Sequence, residues 1–341
     1  MKAYVLGPPE NGRAPWKLTS LPDPTPGAGE VLVRVRAASL NYRDLMVARG
    51  LYGGTPRVDL VPLSDGAGEI VALGQGAKRF RVGQRVVGAY YPTWLAGPGP
   101  QRASHSQHMK GAGNVDGVLA EYVTFPETGV APAPSHLSFE AASTLPCAAV
   151  TAYNALFVAG PRLDPGATVL VLGTGGVSVV AAQFALAAGL RPIATSSSVK
   201  KLERLRSLGV TDVIDYRQTP EWHDEVLRLT GGEGADHIVD VGGAGTLPRS
   251  FQAVKIGGTI SLIGFLAGAP HIDPLPILFR RIRVQGLSVG SVAMLEAMNR
   301  SIEATKLEPA IDEVFPFARA PEALVKLENG AHFGKLVVRI D

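Results

Sequence analysis

The chain has 341 residues and a single cysteine, Cys147. An intramolecular disulfide needs two cysteines and a four-cysteine zinc site needs four, so both are excluded. Charge is sparse: 18% of residues are Asp, Glu, Lys or Arg, and the net charge is +3. No run of five like charges occurs. A nucleic-acid surface draws on a clustered basic stripe, so nucleic acid is not an expected partner. No apolar stretch reaches the roughly 18 residues that a bilayer span requires, so no membrane partner is expected. The start, MKAYVLGPP, lacks the basic-then-apolar pattern of a secretory signal. These absences lead to the expectation of a cytoplasmic protein.

What is present is an apolar, turn-rich chain. Hydrophobic residues make up 46%, enough to bury a sizeable core, and the length suits two domains. The 40 glycines and 26 prolines are spread along the chain and mark turns rather than a low-complexity tract. Residues 1–135 read as mostly β, with strands expected at 31–40, 68–74, 84–90 and 119–126. The stretch 91–116 reads as a long loop, which suggests a functional role. The texture changes near residue 136. A helical segment, 137–160, is interrupted by Pro146. Strands are then expected at 168–173, 191–197, 210–216, 235–243, 258–268 and 282–290, with helices at 177–189 and 199–209. The run TVLVLG is apolar throughout, as in a strand buried on both faces. This alternation predicts an α/β domain with a doubly wound parallel sheet. The tail 290–341 reads as one helix plus short β pieces that return to the first domain.

The sharpest motif is TVLVLGTGGVSVVAAQ, strand to glycine turn to helix. Glycine lets backbone approach a pyrophosphate, and free N–H groups at the helix start hold the anion. In the dinucleotide pattern G-x-G-x-x-G, Gly173 and Gly175 fit the first two positions and Ser178 stands at the third. Gly173, Thr174, Gly175, Gly176, Val177 and Ser178 are therefore cofactor-binding candidates. The next strand ends in Ser196, Ser197 and Ser198, followed by Lys200 and Lys201, without the Asp or Glu that grips the ribose 2′-hydroxyl of NAD. Hydroxyls and an ammonium suit a 2′-phosphate, which favours NADP(H) over NAD(H). The other reading of the lysines is a solvated helix face.

Several further stretches, in order along the chain, carry a resemblance: SLNYRDL (39–45), PLSDGAGEIVALG (62–74), RVGQRV (81–86), GVLAEYV (117–123), LPCAAVTAYNAL (145–156), DVGG (240–243) and HFGKLVV (332–338). With the glycine turn, they resemble the zinc-independent, quinone oxidoreductase-like branch of the medium-chain dehydrogenase/reductases. The resemblance implies a GroES-like catalytic domain from 1–135 and 289–341, a Rossmann domain over 136–288, and an active site in the cleft. It also implies a homodimer or homotetramer. Zinc-dependent relatives use a Cys, a His-Glu pair and a second Cys. Here those positions hold Asn41, Ser64-Asp65 and Cys147. Amide and hydroxyl are poor zinc ligands, so no metal is expected. Cys147 reads as a small core residue, with a reactive thiol as the alternative. His105 and His108 read as solvated.

Without a metal, hydrogen-bond donors must stabilise the charge that develops on hydride transfer. The resemblance places Asn41 and Tyr42 near the nicotinamide, Asn41 as amide donor. Tyr42 and Tyr52 each offer a phenol, Tyr52 being equally a loop aromatic. Arg43 and Asp44 read as a structural pair or cap. Thr151, Tyr216, Val241, Gly242, Ile263, Gly264, Phe265, Phe333 and Lys335 complete the expected cofactor site. The expected function is NADP(H)-dependent hydride transfer to a small-molecule quinone or α,β-unsaturated carbonyl. The alternatives are an alcohol dehydrogenase, and an NADPH-binding protein with little turnover.

Overall fold

In the N-terminal part, buried and half-buried residues alternate along the longest strand, the period-2 pattern of a sheet face. The structure is a computed structural model and describes all residues except 53, 55, 56, 98, 100–108 and 265–271. The described chain forms two compact units, Met1–Val150 with Val289–Asp341, and Thr151–Ser288.

The first unit opens with an antiparallel pair, β1 (Lys2–Leu6) and β2 (Trp16–Ser20). Its main sheet is built on β3 (Glu30–Ser39), which pairs antiparallel with β4 (Asp65–Leu73) and β6 (Tyr122–Pro126). Beyond β4 follow β5 (Arg85–Gly88) and β7 (Val130–Pro132). Gly68 sits where the β3–β4 register shifts; a Cβ there would lie 2.0 Å from the carbonyl oxygen of Arg34, so only glycine allows the approach. Helix α1 (Tyr42–Ala48) follows β3 directly. Helix α2 (Phe139–Ser143) starts at the cap Ser138, whose hydroxyl accepts from Ala141 N at 3.1 Å. A π turn, Leu145–Ala149, then carries Pro146, whose missing N–H breaks the ladder where the sequence anticipates an interruption. Helix α3 (Val150–Phe157) leads into the second unit.

The second unit contains β8 (Thr168–Val171), α4 (Gly176–Ala187), β9 (Arg191–Ser196), α5 (Val199–Ser207), β10 (Asp212–Asp215), α6 (Trp222–Leu229), β11 (Ala235–Asp240), α7 (Leu247–Ala253), β12 (Val254–Leu262), α8 (Leu275–Phe279) and β13 (Arg283–Gly286). The sheet order is β10-β9-β8-β11-β12-β13, and every pairing is parallel. This is the doubly wound arrangement, whose strand order reverses beside the first strand. Leu170, Ile193, Ile238 and Ile260 are buried at the centre of its core. All four residues of β8 are buried, as its apolar run requires. Val199 lies exposed at the first position of α5, while Leu202 and Leu205 are buried.

The chain returns to the first unit through α9 (Val292–Thr305), β14 (Ile311–Pro316), α10 (Ala320–Glu328) and β15 (Lys335–Arg339). Strand β15 pairs antiparallel with β3, and β14 pairs parallel with β15. The tail therefore holds two helices where one was expected. Residues 136–150, grouped by sequence with the second domain, lie in the first unit. Ser39 Oγ donates to Ser143 O at 2.9 Å, and Arg339 Nε donates to Glu140 Oε1 at 2.6 Å. No described helix is long and apolar enough to cross a membrane.

Candidate functional site

At the carboxyl end of β8 the chain turns through Gly173, whose φ is +77°, a left-handed value that favours glycine. Gly173 N donates to Thr195 Oγ1 at 3.1 Å. Gly175 caps α4 without a side-chain hydrogen bond, so the first N–H groups of the helix, from Gly176 and Val177 onward, are left for an anion. Thr174 is buried, and Ser178 donates to Leu172 O at 2.7 Å. The serine that replaces the third glycine thus ties the helix to the strand end.

The neighbouring strand end supplies a polar rim. Ser196 is buried, Ser197, Ser198 and Lys201 are half-buried, and Tyr216 is exposed. Ser198 N donates to Ser196 Oγ at 3.3 Å, and Tyr216 N donates to Ser196 O at 3.1 Å. The nearest carboxylate on the adjoining strand, Asp215, caps the N–H of Arg217 at 2.9 Å.

On the other side of β8, β11 ends in Asp240, a residue not singled out from sequence. Its Oδ1 accepts from Gly242 N and Gly243 N, both at 3.0 Å, and from Thr246 Oγ1 at 2.6 Å. Its Oδ2 accepts from Ser250 Oγ at 2.7 Å. The carboxylate fixes the turn that bears Val241 and Gly242. The D-x-G-G spacing is an Asx-turn signal that could have revealed it. Ile263 and Gly264 follow β12 alongside. A Cβ on Gly264 would lie 1.8 Å from Val241 O, so the two strand ends close only over glycine. The expected residue Phe265 lies outside the described residues.

In the first unit, Asn41, Asp65 and Lys335 form a second polar cluster. Lys335 Nζ donates to Leu40 O at 2.5 Å and to Asn41 Oδ1 at 2.6 Å. Asn41 N donates to Asp44 Oδ2 at 2.7 Å, which caps α1. Asp65 Oδ1 accepts from Ser64 Oγ at 2.6 Å, and its Oδ2 accepts from Cys147 N at 3.1 Å. Burial lowers the pKa of Lys335, with Asp65 opposing. Burial raises that of Asp65, with Lys335 and the Ser64 hydroxyl opposing. Burial and the Asp65 charge push the Cys147 thiol well up.

Arg43 and Asp44 pair at 2.8 Å, both buried, in the structural role anticipated for them. Arg43 also donates to Lys110 O and Gly111 O, each at 3.1 Å. Its guanidinium lies 5.6 Å from the Tyr52 ring centre and 5.3 Å from that of Tyr90. The Tyr52 and Tyr90 hydroxyls are 3.3 Å apart. Burial raises the pKa of Tyr90 well above its usual value. Tyr42, at the start of α1, is exposed. Phe333 is buried in the first unit, and Thr151 is buried at the start of the second. His105 and His108 lie outside the described residues. Among the described residues, no group of three or more His, Cys, Asp or Glu is placed to hold a metal.

Two family models match the chain: the alcohol dehydrogenase GroES-like domain over residues 27–135 and the zinc-binding dehydrogenase over 176–304. A zinc-type alcohol dehydrogenase-like protein of Schizosaccharomyces pombe is 43% identical over 339 residues, covering 98% of this chain and 95% of the relative. The chain belongs to the zinc-type alcohol dehydrogenase family. Among solved structures, an NAD-dependent alcohol dehydrogenase matches at 34% identity and a TM-score of 0.89, over 100% of both chains. A crotonyl-CoA carboxylase/reductase, AntE, in complex with NADP matches at 25% identity and a TM-score of 0.86, over 99% of this chain and 94% of that one. As a member of this family the protein is an oxidoreductase with a nicotinamide dinucleotide as the typical cofactor. Its first unit carries the GroES-like domain and its second the Rossmann-type sheet.

Proposed function

We propose that this member of the family works without zinc, as an NADP(H)-dependent reductase of quinones or α,β-unsaturated carbonyl compounds. The observation that carries the reading is the donor set around Asn41. At the positions of the metal ligands stand the Asn41 amide, the Ser64-Asp65 pair and Cys147, and a lysine ammonium lies 2.6 Å from the amide oxygen. An ammonium has no lone pair and repels a second cation. Zinc wants thiolate, imidazole or carboxylate, and only Cys147 and Asp65 are of that kind here, fewer than the three or four protein ligands a stable site needs. These residues do not fit a zinc ion.

They do fit hydride chemistry that relies on hydrogen bonding. A bound nicotinamide dinucleotide supplies the hydride. Gly173–Ser178 receive its pyrophosphate, and Ser196, Ser197, Ser198 and Lys201 receive a 2′-phosphate. In this reading Thr151, Tyr216, Val241, Gly242, Ile263, Gly264 and Phe333 contribute to holding it. Asn41 donates its amide N–H to the acceptor oxygen as charge develops there. Tyr52, backed by Tyr90 and Arg43, holds a proton in its phenol, and Tyr42 is the second phenol. A conjugated acceptor spreads the incoming charge and so needs less electrophilic help than a saturated ketone.

The likeness to the NAD-dependent alcohol dehydrogenase favours a second reading, oxidation of an alcohol with NAD. A panel separates the two. NADPH and NADH consumption is followed with small quinones and enones, and NAD(P) reduction with simple alcohols. The proposal predicts NADPH-selective turnover on the conjugated acceptors. Turnover of alcohols alone contradicts it. We also propose a homo-oligomer, supported by the exposed apolar side chains Leu275, Leu278 and Phe279 on α8.

A further inference from the structure

Asn41 Nδ2 is a buried nitrogen that makes no hydrogen bond of normal geometry with any described residue. Buried donors are almost always satisfied, so an orphan points to a ligand. The other end of the same amide is taken, because Oδ1 accepts from Lys335 Nζ at 2.6 Å. A lysine ammonium carries donors only, so the amide must turn its oxygen to it. That chemistry decides an orientation that is otherwise ambiguous for asparagine. Lys335 is itself pinned by Leu40 O at 2.5 Å, and the Asn41 backbone by Asp44 at 2.7 Å. Asp65 lies near enough to feel both the Asn41 amide and the Lys335 charge. Asp65 is already shared with the Ser64 hydroxyl and the Cys147 N–H, and beside the amide it takes at most one of the two Nδ2 hydrogens, which leaves the other for a ligand.

We infer that Lys335 is a positioning residue whose buried ammonium fixes the Asn41 amide, so that Nδ2 is presented as hydrogen-bond donor to the substrate's carbonyl oxygen. The inference rests on the reduction proposed above. It gives Lys335 a task other than the cofactor binding expected from sequence. The ammonium also polarises the amide from behind and strengthens its N–H as a donor.

The test uses the full chain, NADPH and a conjugated enone. Lys335→Met removes the ammonium. Lys335→Met/Asp65→Asn removes it without leaving a buried carboxylate uncompensated, and keeps the experiment open if the single variant misfolds. The expected result is a fall in kcat of about 10- to 100-fold. The Kd for NADPH, from quenching of intrinsic fluorescence, stays within about 2-fold, because the ammonium touches the amide rather than the cofactor. In an Asn41→Ala background, removing Lys335 lowers kcat by less than about 2-fold, because the lysine acts through the amide already lost. Independently of turnover, the side-chain amide pair of Asn41 in 1H–15N spectra, assigned by its loss in Asn41→Ala, shifts in the Lys335 variants. Fully multiplicative losses, an NADPH Kd raised about 10-fold with kcat kept, or an unmoved amide pair overturns the inference. Wild-type kcat in Asn41→Ala refutes the amide donor of the proposed reaction itself. Multiplicative losses with a disabled Asn41→Ala refute only the role of Lys335.

Discussion

Lys110 and Lys335 are both buried ammonium groups, but of the two only Lys335 hydrogen-bonds a described residue. Lys110 Nζ lies 5.0 Å from the centre of the Phe125 ring, and no described residue hydrogen-bonds or ion-pairs with it. Burial brings its pKa down to about 8, with Asp116 and Glu30 opposing. In the folded protein the charged form is therefore disfavoured. Below about pH 8 both folded and unfolded chains hold the proton, and the cost is fully present. As pH rises from about 8 towards 10.5, the folded chain releases the proton first and stability increases. Lys110→Met is expected to stabilise the protein at pH 7 by up to about 3 kcal/mol, an advantage that shrinks above pH 8. Thermal unfolding at pH 7 and pH 10 checks this, and an advantage independent of pH contradicts it. At this scale the sequence was readable in part. Asn41 and the Arg43–Asp44 pair stand within one motif, whereas the Lys335–Asn41 bond spans 294 positions, beyond the reach of local spacing.

In the proposed function the strand ends select the cofactor. Strand β9 closes on serines, and a carboxylate introduced there would accept the ribose hydroxyl and repel a 2′-phosphate. Ser197→Asp/Lys201→Ala is expected to raise the KM for NADPH about 10-fold or more and to lower that for NADH. Unchanged preference in steady-state assays sinks the assignment of the serine rim. The parallel strands were legible because burial on both faces leaves uninterrupted apolar runs such as TVLV. Short elements were not. Strand β7 has three residues, and α10 has nine and opens next to a proline, so neither offers a full pattern of periodicity. The Asp240 turn carried an Asx-turn signal in its D-x-G-G spacing, but its contact with Ser250, ten positions on, lies outside that local pattern.

At the scale of the molecule, the chain leaves its first unit at Val150 and re-enters it at Val289. The return was readable from the change of texture, but the position of 136–150 was not, because a helical segment fits either side until its contacts are known. Leu278 and Phe279 remain 69% and 74% exposed, an apolar surface that suits a second copy of the chain. Phe279→Glu/Leu278→Asp is expected to give a monomer in sedimentation measurements while the wild type is a dimer or tetramer; a wild-type monomer contradicts the oligomer. The central claim is that an ammonium and an amide serve where other members of the family hold zinc. The most direct test is metal content and NADPH-dependent enone reduction, measured on the same sample before and after chelator treatment. The account predicts less than about 0.1 zinc per chain, since a stable site needs at least three suitable ligands, with activity unchanged by the chelator. Stoichiometric zinc whose removal abolishes turnover and whose return restores it would contradict the account.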